Sequence, residues 1–87
     1  LDVVNWEKIV YLKTKLMKDS MTKKCIFTKI ATALDEDDYD TASNLQKQMN
    51  QAMTEIRKLY IEYKNNIVKF KNSMLETVLI VGKDIRH

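Results

Sequence analysis

Apolar side chains recur at alternating intervals of three and four residues through the middle of this 87-residue chain. Such a heptad repeat places one apolar stripe along a helix and predicts that the stripe packs against another helix. The stripe covers three full repeats, and its members are Ala42, Leu45, Met49, Ala52, Ile56, Leu59 and Tyr63. No other pattern in the sequence constrains the fold as strongly.

The stripe meets a polar residue at Asn66 and then shifts its phase to Ile67, Phe70 and Met74. An unbroken helix through this point would be about 50 Å long, because each residue adds about 1.5 Å. That length is too great for a compact domain of this size. We therefore expect either a bend or break near Asn65-Asn66 or an extended antiparallel bundle.

Two shorter helices are predicted before the long one. The first runs from Val3 to about Lys18, and either Asp2 or Asn5 can cap its start. A break is expected at Asp19-Ser20, where a second cap is available. The second helix covers about residues 22–34, and its spacing places on one side Ile26, Phe27, Ile30, Ala33 and Leu34.

An acidic corner from Asp35 to Asp38 separates these helices from the long one. Its carboxylates repel one another and are poor helix formers, whereas Asp37 or Asp38 is a natural N-cap for the helix that follows. A calcium loop of the EF-hand type starting at Asp35 would need glycine at its sixth position and glutamate at its twelfth. The chain has Asp40 and Gln46 there, so a helix corner is favoured and no metal site is predicted.

The chain contains no proline and a single glycine, Gly82, which excludes most folds built on tight turns. The apolar tail from Met74 to Val81 is either a last helix or a short extended segment, with Gly82 as its stop. The predicted fold is all-α: an antiparallel helical bundle of three to five helices with one long heptad-patterned helix. It forms a single domain over residues 1–87, or a fragment of a larger protein.

The residue types needed for catalysis are scarce. His87 is the only histidine and stands at the end of the sequence. Cys25 has no histidine to activate a thiolate, and we expect it to be a small core or boundary residue. One glycine cannot build a phosphate-binding loop. The sequence therefore predicts a protein that is not an enzyme, with no catalytic residues and no cofactor.

A second apolar pair on the long helix favours protein binding. Met53 and Tyr60 are seven residues apart and one step off the main stripe, so the helix needs a second packing partner, which is either a further helix of a multi-helix bundle or another protein. With the nearby Arg57 and Lys64 they are the candidate partner-binding residues, because aromatic and arginine side chains dominate binding hot spots. The expected partner is another protein, either a helix or a copy of this chain.

Two alternatives remain open. The net charge is only +3, but lysines between Lys58 and Lys71 could contact the phosphates of RNA or DNA. The heptads could also support self-association as a coiled coil. No membrane insertion is predicted, since the longest apolar run is Val78–Val81. The lone cysteine fits a reducing compartment, the cytoplasm or the nucleus.

Three consecutive segments, "EKIVYLKTKLMKD", "KKCIFTKIATAL" and "DEDDYDTASNLQKQM", carry a resemblance to a known family. Their order resembles the C-terminal helical-bundle domain shared by a coat subunit of COPII vesicles and the steroid receptor RNA activator protein. The resemblance covers residues 6–49, and the matching positions are Ile30, Ala31, Leu34, Asp38, Tyr39, Ala42, Leu45 and Met49. It implies an antiparallel α-bundle for protein association, with no catalytic residues, in a cytosolic assembly such as a vesicle coat.

The chain departs from that family after Met49, where "KLYIEYKNNIVKF" replaces the family's tryptophan- or methionine-containing helix. The segment "DDYDTASNLQKQM" also resembles the UVR helical hairpin of nucleotide-excision-repair proteins, which pairs with a copy of itself in a partner. Both resemblances imply binding through helices.

Overall fold

The computed structural model describes the backbone of residues 3–86, and the side chains of residues 5–80 together with Gly82. This part of the chain forms two helices and no strand: α1, Val3–Asp35, and α2, Tyr39–Arg86. The all-α prediction is confirmed. The prediction of three to five helices is wrong, because the two helices pair directly with each other as an antiparallel hairpin.

Helix α1 does not break at Asp19-Ser20. Its apolar spacing runs through Ile9, Leu12 and Leu16 and resumes in phase at Ile26, so that Asp19 and Lys23 occupy positions where apolar residues would be expected. Neither residue is a proline or a glycine, and a helix tolerates polar residues when its periodicity continues. The two short helices predicted from the sequence are therefore one.

Helix α2 does not bend or break at Asn65-Asn66 either. A helix of 48 residues should span about 72 Å at 1.5 Å per residue, and the longest dimension of the molecule is 74 Å. Asn66 continues the heptad spacing between Tyr63 and Phe70, and it is buried, with 8 % of its surface exposed. The extended antiparallel arrangement, one of the two alternatives, is the one that forms, although with two helices only.

The core is a single seam between the helices. Leu12 is the most deeply enclosed side chain of the described part, and the other buried apolar residues are Ile9, Ile26, Ala33, Ala42, Met49 and Leu59. Seam residues occupy heptad positions a and d of both helices, as in an antiparallel coiled coil. Ile9 of α1 and Ala42 of α2 stand at position a, and Leu12 and Leu45 stand at position d. A seam only two helices wide leaves every other face of both helices open to solvent.

The acidic corner forms the turn. Asp37 adopts a left-handed backbone conformation with φ of 57°, and the amides of Asp37 and Asp38 donate to the carbonyls of Leu34 and Ala33 at 3.1 and 2.8 Å. These two bonds make a Schellman motif that ends α1. Asp38 then caps α2, because its Oδ1 accepts from the amide of Thr41 at 3.2 Å. The predicted N-cap is confirmed for Asp38.

The structure describes one of the two residues that were predicted to cap α1. Asp2 lies outside the described residues, and Asn5 lies inside α1 rather than at its start. Its Nδ2 donates across the seam to the carbonyl of Asn66 at 3.4 Å. Asn5 therefore links the two helices at the end opposite the turn.

Helix α2 is longer than its partner and extends past it. Trp6 near the start of α1 packs against Phe70, so the stretch of α2 from Met74 to Arg86 reaches beyond the start of α1. The tail is thus helical and continuous with α2. Gly82 does not stop it, because the helix continues to Arg86.

Candidate protein-docking surface

The two flanks of the hairpin differ in chemistry. Lys8 Nζ lies 3.1 Å from Glu62 Oε1, and Lys15 Nζ lies 3.7 Å from Glu55 Oε1, so that positions g of the two helices face each other on one flank. We call this flank, with the adjoining positions c, the polar side; it includes Lys8, Tyr11, Lys15, Lys18, Cys25, Lys29, Gln48, Gln51, Glu55, Lys58, Glu62 and Asn65.

Each of these ion pairs is about half exposed to solvent. Exposed pairs contribute less than about 1 kcal/mol each because water and salt screen them. Their main effect is on register, since they recur seven residues apart on both helices and fit only one antiparallel alignment. The ion pairs thus help to fix which residues lie on the opposite flank.

The opposite flank, formed by positions e and b, carries large apolar side chains. Tyr60 has 54 % of its surface exposed and Phe27 has 65 % exposed, values typical of surface residues rather than of a core. We call this flank the apolar side; its main members are Trp6, Val10, Met17, Phe27 and Leu34 of α1 and Tyr39, Met53, Tyr60, Ile67 and Met74 of α2.

The four candidate residues predicted from the sequence all lie along this flank of α2. Met53 is half-buried at the edge of the seam, whereas Arg57, Tyr60 and Lys64 are exposed. Successive members are three or four residues apart, so they form one row on the helix surface. The hairpin therefore places all four together on the apolar side.

The sequence-based site omitted the contribution of α1. The rings of Trp6 and Phe70 lie 5.3 Å apart at an interplanar angle of 40°, which joins the two helices at one end of the apolar side. Phe27 and Leu34 were predicted to lie on the packed side of a short helix, yet both are exposed. The missed signal is that Trp6, Phe27 and Leu34 each follow a seam residue directly and are multiples of seven apart.

Three other features of the described residues bear on the predictions made from the sequence. No group of three or more histidine, cysteine, aspartate or glutamate side chains among them could hold a metal ion. Cys25 is exposed on the polar side, so the prediction that it is a core or boundary residue is wrong. A groove of about 550 Å³ lies beside Phe27, but its walls come from α1 alone: Ser20, Lys23, Lys24, Phe27 and Thr28.

The electrostatics of the turn are those of a helix cap. The hydrogen bonds from Thr41 hold the pKa of Asp38 below its ordinary value of 3.8. They stabilise the ionised carboxylate at the positive end of α2. The acidic cluster thus acts through its caps, as the sequence indicated.

Neither helix contains, within the described residues, a stretch apolar and long enough to cross a lipid bilayer. Comparison of the chain with family models, with curated proteins and with solved structures gives no match. The geometry of the hairpin is therefore the basis for assigning a function.

Proposed function

We propose that this chain is a non-catalytic interaction module that binds another protein through its apolar side. The observation that carries the proposal is the asymmetry of the two flanks. One flank holds interhelical ion pairs and polar side chains, and the other exposes aromatic, methionine and aliphatic side chains interspersed with basic and polar residues.

Exposed apolar surface of this extent favours a binding role. Single apolar side chains on a surface are ordinary, but a contiguous apolar patch on a soluble protein is typical of an interaction site. Here the exposed residues follow one flank from Trp6 beside the start of α1 to Tyr39 beside the turn. Methionines such as Met17 and Met53 add side chains that adapt to a partner's shape.

The resemblance to the COPII and steroid receptor RNA activator domains implies the same class of function. We extend the proposal accordingly to a cytosolic assembly, of which a vesicle coat is one instance. The partner protein would contact Met53, Arg57, Tyr60 and Lys64 on α2 and Trp6 on α1.

A matched pair of tyrosine substitutions tests the proposal. Tyr60 on the apolar side and Tyr11 on the polar side are 54 % and 60 % exposed, so Tyr60→Glu and Tyr11→Glu place the same charge at comparably accessible positions. Each tagged variant is used to capture proteins from extract of the native cells, and bound proteins are quantified by mass spectrometry. Circular dichroism checks that both variants keep the helical content of the parent chain.

We expect Tyr60→Glu to capture at least about tenfold less of the specifically bound protein than the parent chain does, which corresponds to about 1.4 kcal/mol of binding free energy. Tyr11→Glu should retain it. Equal retention by both variants, or equal loss by both, would contradict a partner surface on the apolar side.

A further inference from the structure

The charges beside the apolar side are of one sign. Its e and b positions include five basic residues, and none of the acidic residues whose side chains are described occupies either position. Those acids lie instead at the seam, at the turn, on the outer faces and on the polar side. The basic residues beside the apolar side are Lys13, Lys24, Arg57, Lys64 and Lys71.

The side chains of the apolar side also differ in exposure. Met53 and Ile67 are half-buried beside the seam, whereas Trp6 and Tyr60 project further into solvent. Two cylinders packed side by side about 8–10 Å apart leave a shallow groove along each flank, and a third helix fits such a groove by the same side-chain interdigitation. A groove bordered by cations favours an occupant bordered by anions.

We propose that this groove binds an amphipathic helix whose apolar face is flanked by glutamate or aspartate, and that the bound helix completes a three-helix bundle. The proposal rests on the proposed function and adds the chemistry of the partner. The partner's apolar face covers Met53, Tyr60 and Ile67, while its acidic flanks pair with Arg57 and Lys64.

The spacing of the basic residues fits a helix better than a nucleic acid. Arg57, Lys64 and Lys71 recur every seven residues, about 10.5 Å along α2, which is the repeat of flanking charges on a heptad helix. Phosphates along a DNA strand rise about 3.4 Å each, so two of every three would lack a cation.

Two other occupants fit less well. A second copy of this chain would present the same basic flank, so the two apolar sides would bring like charges together. An anionic membrane is flat on this scale and would touch the exposed side chains without covering the half-buried Met53 and Ile67. A convex, acidic helix satisfies both the shape and the charge.

The test uses two synthetic helical peptides of about 28 residues, roughly 42 Å long. Both carry the same leucine and isoleucine stripe, but one is flanked by glutamate and the other by lysine. Binding of each fluorescent peptide to the full chain is measured by anisotropy at 0.15 M and 0.5 M salt. The same titrations are made with single-stranded RNA and with phosphatidylserine vesicles, and the chain's own mass is measured by sedimentation equilibrium.

We expect the glutamate-flanked peptide to bind at least about tenfold tighter than the lysine-flanked one, with the preference falling at 0.5 M salt because exposed charges are screened. The double variant Arg57→Glu/Lys64→Glu should reverse the preference. The matched variant Lys18→Glu/Lys58→Glu, on the polar side, should leave it within about twofold.

Equal binding of both peptides, abolished by Tyr60→Glu, would overturn the acidic-helix inference while leaving the proposed docking function standing. Binding of RNA or vesicles that depends on Arg57 and Lys64, with neither peptide bound, would overturn it in favour of that ligand. A dimer disrupted by Tyr60→Glu would assign the groove to a second copy. Absence of peptide binding together with no Tyr60-dependent partner in extract would remove both proposals.

Discussion

Replacement of Asn66 by leucine should stabilise the hairpin while weakening its specificity. Asn66 is buried in the seam, where its Nδ2 donates to the carbonyl of Glu62 at 2.7 Å. That carbonyl already accepts the backbone amide four residues later in the helix, so removal of the side chain leaves no orphaned acceptor. The bond from Asn5 goes to the backbone carbonyl of Asn66 and survives the substitution.

The expected change in the free energy of unfolding is the difference between two opposing contributions. Burial of a leucine side chain contributes about 1.5–3 kcal/mol, and the lost hydrogen bond contributed about 0.5–1.5 kcal/mol. We therefore expect Asn66→Leu to raise the free energy of unfolding by about 1 kcal/mol. With an m-value near 1 kcal/mol/M in urea for a small domain, the midpoint should rise by about 1 M.

The assay is urea unfolding followed by circular dichroism, with Asn65→Leu as the control because Asn65 is exposed and one residue away. The control should shift the midpoint by less than about 0.5 M, since surface substitutions change stability by less than about 0.5 kcal/mol. Polar seam residues also specify partner number, so Asn66→Leu, which removes one of them, should associate more readily in sedimentation equilibrium. A midpoint lowered by Asn66→Leu but not by Asn65→Leu would refute the burial reasoning.

Three further outcomes are expected. Leu12→Ala should lower the free energy of unfolding by about 3 kcal/mol, as for other buried leucines, whereas Leu75→Ala on the exposed part of α2 should change it by less than about 0.5 kcal/mol; urea unfolding measures both. Asp37→Gly should raise stability by about 1 kcal/mol, because glycine adopts the positive φ without strain, and a thermal scan that shows no rise would contradict this. The hydrogen bonds that lower the pKa of Asp38 stabilise the fold above pH 3.8, and this stabilisation is lost as pH falls through the lowered value. The melting temperature should therefore fall less between pH 7 and pH 3 for Asp38→Asn than for the parent chain, because asparagine keeps the cap but cannot ionise.

The heptad stripe predicted the all-α class and the face of α2 that packs, because the spacing of apolar residues fixes which side of a helix is buried. Capping chemistry predicted the turn at Asp38 correctly. The number of helices could not be predicted from the apolar residues alone. Asp19 and Asn66 look like interruptions in a list of apolar residues, but both continue the seven-residue register, and register rather than polarity decides whether a helix continues.

The candidate site was predicted in part for a related reason. Met53 and Tyr60 form a second stripe that is visible on α2 alone, so the sequence places them correctly on one face. The contribution of Trp6 and Phe27 depends on which flank of α1 meets which flank of α2. Their spacing in multiples of seven was visible in the sequence, but the axial alignment that places them beside particular residues of α2 is set by contacts between residues far apart in sequence, such as Lys8 with Glu62.

The elongated shape has a practical consequence for solution measurements. The radius of gyration is 20.6 Å, whereas compact scaling gives about 12 Å for 87 residues. By the same scaling, 20.6 Å belongs to a globular protein of roughly 360 residues. A single hairpin will therefore elute early from a gel-filtration column calibrated with globular standards and will imitate an oligomer, whereas its sedimentation-equilibrium mass will remain that of one 10.3 kDa chain.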